Sequence, residues 1–174
     1  MSNNQVIFRS PSEAFRDAKQ KGIEGENYLD NIFSKWYHIS EATGPQQYQG
    51  IDRVFRAKKD GKQMTIEYKT DFASAKTKNA FFELRWIKGD VKEWREGWAV
   101  KLAADKVIYL CVGLGIFVLT KREINLHLLE WLDKYKTRES KTGDWIGVGI
   151  AVPVSVLKEH SEWYLDLRKG ATAK

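Results

Sequence analysis

The sequence predicts an α/β (α+β) fold, on three observations. Apolar residues recur at threes and fours over Ser12–Tyr37 and again over Lys121–Tyr135, the period of helices with one buried stripe. Two strand-like runs, IDRVFRA and QMTIEYK, flank KKDGK, whose Asp60–Gly61 pair is a hairpin-turn signal. Two apolar runs, VIYLCV and GIFVLT, flank Gly113–Gly115 as a second pair of strands, apolar throughout as strands buried on both faces are.

Taken in order, Phe15, Ala18, Ile23, Leu29, Ile32, Phe33 and Trp36 mark a short helix and then a firmer one, with Gly22 and Gly25 as interruptions and Ser12 as N-cap. A polar loop around Thr43, Gly44 and Pro45 leads through QQYQG to the first hairpin. After Lys69 a loop of small and basic residues precedes an aromatic strand, Ala80–Trp86, and Val91–Ala104 reads as irregular to helical. The second strand pair is followed by the helix Lys121–Tyr135, with Ile124, Leu128, Leu129, Trp131, Leu132 and Tyr135 on its apolar face. A strand at Trp145–Val152, a short helix opened by Pro153 and the run WYLDL complete the order.

At 174 residues the chain has room for one domain, expected to span 1–174 with short flexible ends. Its 43% hydrophobic and 30% charged residues lie outside the composition of disordered chains. Lys plus Arg number 29 against 23 Asp plus Glu, a net +6 that leans toward a polyanionic partner. The single cysteine, Cys111, excludes an intramolecular disulfide and a thiolate metal cluster, and its apolar neighbours predict a core position. The longest apolar run, Val107–Leu119, is shorter than the ~20 residues that span a bilayer, and the N-terminus lacks the layout of a signal peptide. A soluble, cytoplasmic protein of a reducing compartment, with no membrane partner, is expected.

The chemistry is concentrated in the first hairpin. On an extended strand alternate side chains share a face, so Glu67 and Lys69 point one way, Ile66 and Tyr68 the other. Closing the hairpin at Asp60–Gly61 brings Asp52 opposite or next to Glu67 and Lys69. Two readings of this set stand. One is an exposed cross-strand ion-pair group worth ~0.2–1 kcal/mol per pair. The other is a site for a hard divalent cation, since Mg²⁺ takes oxygen ligands, keeps waters and accepts phosphate oxygens, with the lysine serving the attacking water or the charge on phosphorus. Asp52 favours the second, because it follows Gly50 and Ile51 and precedes the apolar Val54 and Phe55, where a chain enters a sheet.

Glu26 in GIEGENYLDNIFSKW, Asp52 in QGIDRVF, and Glu67 with Lys69 in TIEYK together resemble the PD-(D/E)XK nuclease superfamily, in the style of its small Holliday-junction-resolvase and phage or homing endonuclease branches. The likeness runs from Gly22 to Asp71 in type, order and spacing; Ile51 stands where the family carries proline, and NAFFE with GWAVKLAADKVIYL extends it more weakly. The resemblance implies a restriction-endonuclease-like core, a central mixed β-sheet flanked by helices. It implies that Glu26, Asp52 and Glu67 hold Mg²⁺, for which Mn²⁺ can substitute, and that Lys69 acts in catalysis. The function implied is a metal-dependent endodeoxyribonuclease on duplex or branched DNA, of Holliday-junction-resolvase type. Its rivals are a sequence-specific homing or restriction endonuclease, a non-catalytic DNA-binding module on the same scaffold and an RNA-processing nuclease. Because one site cuts one strand, paired cuts imply a homodimer, with the Lys121–Tyr135 helix or the Trp-rich segment Arg85–Trp98 as its interface.

Lys76, Lys78 and Asn79, just after the acid-bearing strand, and Arg53 and Gln49, just beside Asp52, are the expected DNA contacts, against the alternative of a solvated edge. Trp86, Trp94 and Trp98 serve either base stacking or the core. Asp71 and Glu83 are left outside the core set. His38, His127 and His160 are far apart and lack zinc-type spacing, so no histidine metal site is expected. Neither GLG nor GVG continues to a third glycine at a helix start, which excludes a dinucleotide loop.

Overall fold

A computed structural model describes residues 11–88 and 93–169. Helix α1 (Pro11–Phe33) leads into strand β1 (Tyr37–Glu41), short helix α2 (Gly44–Tyr48), β2 (Arg53–Ala57) and β3 (Gln63–Asp71). After α3 (Ser74–Thr77) come β4 (Asn79–Lys88), β5 (Glu93–Glu96), α4 (Trp98–Lys101), β6 (Lys106–Cys111) and β7 (Gly115–Thr120). Helix α5 (Lys121–Lys134), β8 (Thr137–Thr142), β9 (Trp145–Pro153), α6 (Val154–His160) and β10 (Trp163–Asp166) follow.

The strands form two sheets. The larger is six-stranded in the order β1-β2-β3-β6-β7-β10, and the smaller is four-stranded in the order β5-β4-β9-β8. In the larger sheet β3 and β6 are parallel while the other neighbours are antiparallel, so the sheet is mixed. Its central strands alternate between two cores. Ile108 and Leu110 join Leu29 and Phe33 of α1, with Ile66 and Tyr68, in one cluster. Val107, Tyr109 and Cys111 face the other way, against Phe82, Ile150 and Val152 of the small sheet and Trp98, Ile124, Trp131 and Leu157 of α4, α5 and α6. Burial on both faces is why these strands read as unbroken apolar runs.

The mixed sheet is as expected, but helices flank it alone only on the α1 face. On the opposite face the crossover from β3 to β6 carries β4 and β5, and the small sheet takes much of the place that helices were expected to fill. The N-terminal helix is one element, so Ser12 lies inside it and is no cap; it ends at Phe33, residues 34–36 form a turn, and β1 begins at Tyr37. The polar loop at Gly44 is helical over α2 because Thr43 and Gln46 build a capping box. The loop after β3 is a single turn of helix, α3, and part of Val91–Ala104 is the edge strand β5, residues 91 and 92 lying outside the described residues, as do the chain ends expected to be flexible. On α5 the buried face is Ile124 and Trp131 with Leu128 and Tyr135 packed beside them. Leu129, 77% exposed, and Leu132, 41% exposed, turn outward with Leu126. Among the described residues no helix is long and apolar enough to cross a membrane.

Candidate active site

Strand β3 presents its two faces as its alternation requires. Ile66 and Tyr68 enter the core under α1, while Glu67, only 4% exposed, and Lys69 face the α4 side, where the Lys69 Nζ lies 5.6 Å from the centre of the Trp98 ring. The Lys69 ammonium is ion-paired to Glu67 Oε1. The other Glu67 oxygen, Oε2, is buried and has no hydrogen-bond partner among the described residues. Buried carboxylate oxygens are seldom left so, and one on a side chain beside the Asp52 carboxylate is a place a cation could occupy.

Asp52 reaches the same point from β2. The ladder pairs Arg53 with Ile66, and one step further the Asp52 N–H donates to the Ile66 carbonyl at 2.8 Å while the Asp52 Oδ2 accepts from the Tyr68 N–H at 2.7 Å. The carboxylate is thereby fixed between the two strands, alongside Glu67. Gly50 turns the chain into this position with a φ of +78°, which side chains avoid; space is not the reason for glycine, since a Cβ there would meet Glu67 Oε2 at an ordinary contact distance of 3.6 Å.

Glu26 comes from α1, across the cleft. The Arg53 Nη2 donates to Glu26 Oε2 at 3.0 Å and its Nε to Asp30 Oδ2 at 3.1 Å, and the Tyr68 hydroxyl donates to Asp30 Oδ1 at 2.9 Å. Arg53 is 7% exposed. It was expected to face DNA; instead its guanidinium is spent inside the protein, holding α1 and Glu26 to β2. A buried fork of donors between two carboxylates is what a guanidinium does better than an ammonium.

The electrostatics follow from this crowding. Burial, and then the Asp52 carboxylate, raise the Glu26 carboxyl above its ordinary value. Burial raises Glu67 also; Lys69 opposes this and Asp52 reinforces it. Burial alone would lower Lys69, but Glu67 and Asp52 outweigh it and hold the ammonium above the usual lysine range. Close, partly desolvated acids repel one another until a cation is shared among them. The donor set is oxygen throughout, which suits Mg²⁺ or Mn²⁺; Asp52 and Glu67 are the pair that could share an ion, while the Glu26 carboxylate, held by Arg53, does not close a three-carboxylate group with them.

Glu26, Asp52 and Lys69 line a cleft of about 380 Å³. Lys69, Thr70 and Phe72 are shared with a larger cavity of about 660 Å³ that reaches Asn79, Glu83 and Arg138. Two of these residues were not picked out as site residues from the sequence. Glu83 accepts from the Trp86 Nε1 at 3.1 Å; burial raises its carboxyl, against the lowering effect of Lys69. Arg138 lies on β8, whose residues show no apolar alternation to announce a strand. Asp71 is committed locally, accepting from the Ser74 N–H at 2.9 Å and the Tyr109 hydroxyl at 3.1 Å.

Of the other expected DNA contacts, Lys76 is exposed on α3, and Gln49 is exposed at the end of α2. Lys78, in a left-handed conformation with φ of 58°, donates from Nζ to the Ala75 carbonyl at 2.6 Å. Asn79 lines the larger cavity, and its Nδ2 donates to the Thr77 carbonyl at 2.7 Å. Trp98 is buried and Trp94 is 64% exposed. The histidines depart from expectation: His127 and His160 meet, with ring centroids 4.1 Å apart. No family model, curated protein or solved structure matches the chain.

Proposed function

We propose that the protein is a metal-dependent endonuclease of the PD-(D/E)XK type, hydrolysing phosphodiester bonds in DNA. The observation that carries this reading is the meeting of Asp52 and Glu67, at the entry to β2 and on β3, beside Lys69, with Glu26 of α1 lining the same cleft as Asp52 and Glu67 Oε2 buried and unpartnered among the described residues. The preceding helix, the antiparallel β1-β2-β3 unit and the parallel partner β6 support a restriction-endonuclease-like core.

A bound Mg²⁺ supplies polarisation of the phosphoryl oxygen and a more acidic water. The residues do the rest. Asp52, fixed by the Tyr68 N–H, and Glu67, fixed by Lys69, orient the oxygen donors. Glu67 and Asp52 favour the charged form of Lys69, which suits it to hold the attacking water and offset charge on the phosphate; with a cation neutralising those acids it could also take the proton of that water. Water attacks phosphorus and gives up a proton to Lys69 in its neutral form or to solvent, one P–O ester bond breaks, and the leaving oxygen takes up a proton from solvent, so that one water is consumed per bond cut. Arg138, which lines the larger cavity, and the exposed Lys76 and Gln49 are the contacts proposed for the backbone of the nucleic acid, and branched DNA is the substrate class favoured. Two copies, joined through the outward leucines of α5, supply the paired sites that opposed cuts require.

The test is incubation with supercoiled plasmid, linear duplex, single strand, four-way junction and structured RNA, with Mg²⁺, with Mn²⁺ and with chelator. Metal-dependent cutting is expected, strongest on the junction, and lost in Asp52→Asn, Glu67→Gln and Lys69→Ala while DNA binding survives. A parent that binds DNA and cuts nothing is the non-catalytic module; preference for RNA moves the substrate class.

A further inference from the structure

We propose that Glu123, His127 and His160 form a binding site for one divalent transition metal, Zn²⁺ being the ion whose chemistry fits, apart from the carboxylate cleft. The sequence separates His127 from His160, but α5 and α6 bring them together. Glu123 and His127 are four residues apart on α5, so they share a helix face, and His160 is the last residue of α6.

The geometry is that of ligands around a common centre. Glu123 Oε2 lies 3.5 Å from His127 Nε2 and 3.5 Å from His160 Nδ1, and ligand atoms of all three lie within 4.8 Å of one another. A tetrahedron with metal–ligand bonds of about 2.0–2.1 Å has edges of about 3.4 Å, so the carboxylate oxygen already stands at tetrahedral spacing from both nitrogens. Three protein ligands leave a fourth position for water.

The surroundings match a metal site in two further ways. The other nitrogen of His127, Nδ1, lies 3.1 Å from Glu130 Oε2, which is the outer carboxylate that sets tautomer and ring orientation in carboxylate–histidine–metal units. Trp131, 1% exposed, walls the group on one side, its ring 5.9 Å from that of His127 and 5.6 Å from that of His160. The three side chains remain 21–35% exposed, which leaves a way in for the ion. The Glu123 backbone is held as well, its N–H donating to the Thr120 hydroxyl that caps α5. Two imidazoles and one carboxylate select Zn²⁺ over Mg²⁺, the reverse of the all-oxygen cleft. Bound there, the ion ties α5 to α6 over the second core.

Protein carrying no histidine tag, stripped of metal by chelator and dialysed, is titrated with ZnCl₂ by calorimetry in Mg²⁺ buffer, and with Co²⁺ by visible absorption. A single Zn²⁺ per chain, a tetrahedral Co²⁺ band and a higher unfolding temperature with Zn²⁺ are expected. His160→Ala should lose all three while Glu67→Gln keeps them, and Glu130→Gln should weaken binding roughly tenfold. Circular dichroism checks that His160→Ala is folded; if it is not, Glu123→Gln gives the same reading. The proposal is overturned if the parent takes up no Zn²⁺, leaving a histidine–carboxylate cluster that holds no metal, or if uptake is unchanged in the folded variant.

Discussion

Gly25 of α1 rests directly on Thr70 of β3: a Cβ at position 25 would fall 2.1 Å from the Thr70 Oγ1 and 2.8 Å from its Cβ and Cγ2. The helix therefore touches the strand one residue before Glu26 and one residue after Lys69, and the depth of that contact sets where the Glu26 carboxylate stands. A glycine that costs helix propensity is kept where the approach is closest.

Gly25→Ala should push α1 away from β3, lowering stability by about 1–3 kcal/mol as overpacking does and moving Glu26 off the cleft, so that cutting falls further than stability does. Gly22, in the same helix, has no atom within 4 Å of the Cβ it would carry. Gly22→Ala should stabilise by about 0.5–1 kcal/mol. Urea titrations of both variants, with plasmid nicking, decide this; equal effects at the two positions would mean that α1 does not rest on Thr70.

What could be read from the sequence was whatever a local period or turn declares. The hairpin closes at Gly61, with φ of +73°, and its register sets Asp52 beside Glu67 as the counting from the turn required. The missed strands are edges: β8, TRESKT, has five exposed residues and one half-buried, and β1 buries none, so neither carries an alternation to read. The second sheet was legible only in part: Ala80–Trp86 and Trp145–Val152 read as strands and are β4 and β9. That they leave the central sheet and pair with each other is decided by which apolar faces find each other across the fold, which no local pattern declares. Charged residues are hardest of all, since the context of Arg53 on β2 contains nothing that distinguishes a solvated cation from one locked between Glu26 and Asp30.

Arg53 supplies the second prediction. With its side chain 8% exposed and bound to two carboxylates that are about a third exposed, its removal leaves Glu26 and Asp30 facing Asp52 without a counter-charge. Arg53→Ala should cost roughly 2 kcal/mol or more, below the 3–5 of a fully buried pair because water reaches the acids. Arg53→Lys should recover only part, for one ammonium cannot span both acids as the fork does. If the residue were instead a DNA contact, both variants would fold as the parent does and lose only affinity, with a shallower salt dependence. Thermal melts beside salt-dependent DNA binding separate the two.

Glu83 gives a prediction in pH. Burial raises its carboxyl above the ordinary value of 4.5, against the Lys69 charge and the Trp86 N–H. A carboxyl raised on folding contributes stability that is complete below its unfolded value and is lost as pH climbs through the folded one. Glu83→Gln removes that titration and keeps an oxygen to accept from Trp86. Its melting temperature should therefore exceed the parent's at pH 7.5, and the gap should narrow toward pH 4. A gap of constant size, or one of the opposite sign, would place Glu83 in a net stabilising ion pair with Lys69.

The outward side of α5 bears on assembly. Leu126 is 64% and Leu129 77% exposed, on the face opposite the Ile124 and Trp131 that anchor the helix. Large apolar side chains side by side on a helix surface are a cost in water that a second copy would relieve, and the nuclease proposed above, with one site per chain, would need that second copy to cut both strands of a junction. The parent should sediment as a dimer, and Leu126→Ser with Leu129→Ser as a monomer that still melts cooperatively, because neither leucine belongs to the core. The monomer should nick one strand of a four-way junction where the parent makes the paired cut. A parent that sediments as a monomer at micromolar concentration, with and without DNA, would assign those leucines to some other contact and leave each chain to nick alone.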